Sequence, residues 1–205
     1  MQYGDLQKLN TQMLCDIVDN LNISSGYDTE LIRTAVNMNQ LWAIELAYPG
    51  HTDNTEIPEE VDFINNIMHL FHALKSAFSN FNEQEKRQIT RMIPDFSERY
   101  DLEFCGFHPD TERNMTDISH LLVMLGYYSE GDLLKNSCTP AIGRHIQMLE
   151  VFMHSQDKQV KKEIIPPEIF CEIILAGRID CALKNALNRK KEGVSVDKYS
   201  RPGRG

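Results

Sequence analysis

Residues 61–81 read VDFINNIMHLFHALKSAFSNF, and this stretch decides the architecture. At about 100° per residue its apolar side chains form two adjoining stripes. Val61, Ile64, Met68, Phe71 and Phe78 make one; Phe63, Ile67, Leu70, Leu74 and Phe81 make the other. A helix so apolar must be covered on most of its sides, which predicts an array of helices around it. The remaining stripe, Asp62, Asn65, Asn66, His69, His72, Ser76 and Ser79, is mostly amide, imidazole and hydroxyl, groups that both donate and accept hydrogen bonds. It suits either a satisfied, partly watered helix edge or a groove where His69 and His72 meet a ligand. Histidines at i and i+3 can approach one ion, but no third ligand follows at a recognisable spacing, so no metal is expected.

Working outward, Pro58 opens this helix with Glu59 and Glu60 at the positive end of its dipole. The preceding helix is capped by Asp28 and runs through Leu31, Ala35, Met38, Trp42 and Leu46 until Pro49-Gly50. Glu45 continues its apolar side, and a part-buried carboxylate must be protonated, hydrogen-bonded or paired. Trp42, Glu45, Tyr48, Asn65, His69 and His72 therefore form the candidate ligand-binding set, with Glu45 as a simple interhelical lock the alternative. The first helix repeats Leu6, Leu9, Met13, Leu14, Ile17, Val18 and Leu21 at three- and four-residue steps before Ser24-Ser25-Gly26.

Downstream, Asn82 with Glu85 is a capping box for a charged helix ending before Pro94. Leu102 to Phe107 reads as a short extended piece in which Gly106 permits a bend or a close backbone approach. His108-Pro109-Asp110 starts a helix carrying Ile118, Leu121, Leu122 and Leu125. Thr139-Pro140 opens one whose core face is Ile142, Ile146, Leu149, Val151 and Phe152, and Pro166-Pro167 opens the last, to about Lys191. The predicted fold is all-α, a single-domain array of seven or eight helices with at most a short extended segment.

The 205 residues and 41% hydrophobic content support one such domain, 1–176, followed by a basic helix end and disordered tail over 177–205. The net charge of -9 is uneven: from Arg178 onward eight Lys/Arg face three Asp/Glu, a +5 end on a -14 body. That balance excludes an all-over nucleic-acid surface and leaves only the tail for such contacts. No apolar run is long enough to cross a bilayer, so no membrane association is expected. Five widely spaced cysteines with no CxxC pair and no secretory leader point to the cytoplasm. There is no phosphate-cradling glycine loop and no serine elbow. Cys105 and His108 are close in sequence, but a cysteine between two phenylalanines reads as buried, so no catalytic residue and no cofactor is assigned.

Four segments carry a resemblance: LWAIELAYPG (41–50), MHLFHALKSAFSNF (68–81), LEFCGFHPDTERN (102–114) and TPAIGRHIQMLEVF (139–152). In order and character they resemble the YfbU-like proteins of bacteria over about Leu6 to Ala176. The resemblance implies an all-helical cytoplasmic protein of a family without a settled activity. It transfers no functional role, and Cys105, Asn114 and Met115 depart from its pattern. The function expected is that of a non-catalytic helical interaction protein, self-associating or binding another protein, because several helices carry more apolar face than a small array can bury. A small-molecule-binding protein or enzyme with its pocket between the second and third helices is the alternative. Nucleic-acid association through the basic tail is a weaker one.

Overall fold

The computed structural model describes residues 4–51, 56–158 and 165–178. Among the described residues nine helices run in chain order: α1 (Asp5–Asn20), α2 (Thr29–Asn37), α3 (Trp42–Ala47), α4 (Glu59–Asn80), α5 (Glu83–Met92), α6 (Glu98–Asp101), α7 (Arg113–Met124), α8 (Glu130–Leu133) and α9 (Ile142–Lys158). A tenth, α10, occupies 167–178. The all-α expectation holds. The count exceeds seven or eight because two single-turn helices, α6 and α8, are too short to show a period, and because one expected helix is two. The described residues form two compact units, one from the ranges 1–69 and 104–141 and the other from 70–103 and 142–205.

In the first unit α2 packs against α1, α3 and α7, and α7 against α8. Asp28 caps α2 as its sequence suggests, its carboxylate accepting from the Leu31 N–H at 3.0 Å. The helix does not continue to Pro49, however. Asn39 adopts φ +56°, and the Gln40 N–H returns to the Ala35 carbonyl at 2.8 Å, a left-handed stop that an asparagine tolerates better than most residues. The chain restarts as α3, and Leu31, Ala35, Leu41, Trp42 and Ala43 are all buried.

Among the described residues the extended piece makes no strand, only a bridge between Phe107 and Asn136. Gly106 has φ +82°, and a Cβ there would lie 1.6 Å from the Lys135 carbonyl oxygen, so both the bend and the close approach are real. Glu112, buried, holds this corner: its carboxylate accepts from the His108 N–H at 2.8 Å and the Ala141 N–H at 2.7 Å. With Glu112 as its N-cap residue, α7 begins at Arg113, later than the His108-Pro109-Asp110 start.

In the second unit the capping box forms as read, Asn82 accepting from the Gln84 and Glu85 N–H groups and Glu85 accepting from the Asn82 N–H at 2.8 Å. Phe78, Phe81, Phe96 and Phe170 cluster with ring centroids 5.1 to 6.4 Å apart. On α9 the expected core position Ile146 is exposed, whereas His145 is fully buried with its ring edge-on to Phe71 at 5.8 Å. Met148, Leu149 and Phe152 are buried three, four and seven residues on, so His145 lies on the inward face of α9 that they define and Ile146 lies off it. The part of the last helix expected beyond 178, and the tail from 193, lie outside the described residues.

Candidate functional site

The six sequence candidates are distributed as follows. Trp42 is buried, and its indole N–H donates to Gln40 Oε1 at 2.6 Å. Gln40 in turn donates to Asn114 Oδ1, and Asn114 to Glu60 Oε1, each at 3.0 Å. This relay ties the starts of α3, α7 and α4. Glu45 Oε1 accepts from the Gly50 N–H at 2.7 Å, closing the turn after α3. The Tyr48 hydroxyl accepts from the Asp28 N–H at 2.6 Å. Asn65 Oδ1 accepts from the Tyr128 hydroxyl at 2.8 Å, and burial raises the pKa of that phenol. His69 and His72 occupy exposed positions on α4, His72 in the part that belongs to the second unit. Trp42, Glu45 and Tyr48 thus share α3 and its closing turn; Asn65 and His69 are one turn apart on α4.

Beside Tyr48 lies a histidine the sequence reading did not single out. His51 Nδ1 is 3.0 Å from the Tyr48 carbonyl, which can only accept, so that nitrogen donates, and Nε2 shares a hydrogen bond with the Tyr27 hydroxyl at 3.2 Å. The rings of Tyr27 and Tyr48 meet edge-on at 5.0 Å. His108 is also used locally: its Nδ1 accepts from the Asp110 and Thr111 N–H groups at 3.3 Å, an acceptor role in the turn before α7. No cluster of three potential metal ligands occurs among the described residues. No described helix is long and apolar enough to cross a membrane.

The strongest surface feature is α1, which sits the wrong way round. Leu6, Leu9, Met13, Leu14, Ile17 and Leu21 lie within an arc of about 140° on a helical wheel, and all six are exposed, Leu6 at 71%, Leu14 at 63% and Leu21 at 67%. The opposite side faces inward: Cys15 is 5% exposed, and Lys8, Thr11, Gln12 and Val18 are partly buried. Polar bonds hold this inward side. Arg33 donates to Asp16 and to Asp19, each at 2.6 Å, and to the Gln12 carbonyl at 3.2 Å. Gln12 donates to Asn37 at 2.8 Å, and the Thr29 hydroxyl to Asp19 at 2.6 Å. Bonds from Thr29 and then Arg33 hold the Asp19 carboxyl below its ordinary pKa. Burial first, offset in part by Arg33, raises the pKa of the Cys15 thiol. The three- and four-residue steps identify this helix but not the direction it faces. The acids at Asp16 and Asp19, and an arginine on the next helix to meet them, were the available signal.

The tail reading needs one correction. Arg178, counted among its cations, is used internally: it bonds Asp95 at 2.6 Å and Asp101 at 2.6 and 3.1 Å, all within the second unit. The other tail cations lie outside the described residues.

Fold and surface thus define an all-helical protein whose most distinctive feature is an outward apolar helix face. The family model of the YfbU domain matches residues 1–164, and the chain belongs to the YfbU family. No curated protein and no solved structure matches it.

Proposed function

We propose that this chain is a non-catalytic helical interaction protein that works as a homo-oligomer, with the outward face of α1 as its contact surface. One observation carries the reading: α1 is fixed to its own unit by its polar side and leaves six large apolar side chains in water. Soluble chains rarely leave so continuous an apolar stripe uncovered unless a partner covers it. Five widely spaced cysteines with no CxxC pair support a reducing cytoplasm as its compartment. Light scattering and sedimentation over a range of concentrations test the reading. The wild-type chain is expected to show a mass above 23.6 kDa that falls on dilution. A strictly monomeric species at high concentration defeats it.

A further inference from the structure

We propose that α1 crosses a second copy of itself, ridge into groove, around Met13, Leu14 and Ile17. The inference rests on the homo-oligomer reading above and adds the geometry of the contact. Leu9, Met13, Ile17 and Leu21 form an unbroken row at four-residue spacing, and Leu6, Asn10 and Leu14 form the adjoining row. Rows at this spacing pack into one another when two helices cross at about 50°. A parallel zipper is a poorer fit, because every strict seven-residue seam drawn along α1 takes in at least two polar residues, such as Asn10 and Asn20 or Asp16 and Asn20.

Three further observations select a second copy. The stripe, with Asn10 and Asn20 inside it, carries no charge, and the one acid at its edge, Asp16, is already paired with Arg33, so it can meet itself about a two-fold axis without opposing unpaired like charges. Its six apolar side chains, each 48–71% exposed, make a continuous patch of the kind that a partner surface covers. Finally, α1 carries Asp5, Asp16 and Asp19 against the single Lys8. A helix that lies on an anionic membrane carries Lys and Arg beside its apolar face, the opposite of this arrangement.

The test uses the full chain with Cys138, exposed, and Cys181, outside the described residues, both replaced by serine (Cys138→Ser, Cys181→Ser). Leu14→Cys and Leu6→Cys are compared in that background under mild oxidation, and the parent chain must give no covalent dimer. Near the crossing point, Leu14→Cys is expected to couple about tenfold faster than Leu6→Cys, which lies two turns away, since a disulfide needs Cα atoms within about 7 Å. Ile17→Asp is expected to weaken self-association about 100-fold, as for a central apolar contact, with unchanged helical circular dichroism. Equal or faster coupling at Leu6→Cys overturns the crossing geometry. A chain that remains oligomeric in Ile17→Asp, with no coupling at either cysteine, overturns α1 as the self-contact but leaves the oligomer standing. A monomer throughout overturns both. Sedimentation of the wild-type chain, but not Ile17→Asp, with phosphatidylcholine–phosphatidylglycerol vesicles assigns the face to lipid and overturns the second copy as its occupant.

Discussion

Helices α1 and α7 belong to the same unit and carry the same kind of apolar stripe, yet they face in opposite directions. In α7 the stripe points inward, with Ile118, Leu121 and Leu122 buried and His120 exposed between them. In α1 the stripe points outward, and Arg33, Asp16 and Asp19 do the docking. Amphipathic spacing therefore specifies a helix and a face, but not what that face meets. Burial of apolar area drives α7 into its place, whereas α1 is held by groups that water would also satisfy. Its contribution to the stability of the unit should be correspondingly small, and its apolar side remains available for work elsewhere.

The largest way to break this contrast is by truncation. Leu121→Ala is expected to cost about 2–5 kcal/mol through the lost transfer energy and the cavity left behind. Leu14→Ala, at 63% exposure, should fall within about 0.5 kcal/mol when urea unfolding is measured dilute enough for monomers. Equal costs at the two positions would mean that α1 is buried in the chain's own core and would remove the contrast.

A smaller effect separates the two arginine clamps, one in each unit. Arg33 pairs with the exposed Asp16 and Asp19, while Arg178 pairs with the exposed Asp95 and with Asp101, which is 4% exposed. Removing Arg178 strands a buried carboxylate, so Arg178→Met should cost about 2–4 kcal/mol. Arg33→Met removes two surface pairs and should cost clearly less than Arg178→Met. Urea midpoints measure both, and the reverse order would show that the α1 clamp is the stronger.

The smallest effect is on pH dependence. Asp19 is held below its ordinary pKa by Thr29 and Arg33, and Asp95 by Arg178. A carboxyl depressed in the folded state stabilises above its unfolded pKa, about 4, and loses that contribution as pH falls through the folded value. The urea midpoint should therefore be insensitive to these two groups between pH 7 and 5 and should drop below about pH 4. Arg33→Met and Arg178→Met should each flatten the drop. A wild-type midpoint unchanged from pH 5 to 3 would show that neither clamp holds its acid ionised.

The helical class and several caps were legible because local chemistry writes them: Asp28 and the Asn82–Glu85 box each act on donors within three residues. The break at Asn39 was not, since an apolar stripe runs on through the position and only the left-handed backbone stops the helix. Neither was Glu112, whose partners include Ala141, 29 residues away. At the candidate site, sequence identified Trp42 and Glu45 as chemically unusual but could not name their partners, Gln40 and Gly50. The direction of α1 depends on the pairing of Arg33 with Asp16 and Asp19, contacts that no periodicity contains.

The family match ends at residue 164, but the fold does not. Ile165, Phe170, Cys171, Ile173 and Ile174 are all buried, and Phe170 stacks at the centre of the phenylalanine cluster. An expression clone trimmed to the matched segment would discard these side chains and leave Phe78, Phe81 and Phe96 without their keystone. Sticky, poorly folded material from such a clone would reflect where the gene was cut and not the character of the native chain.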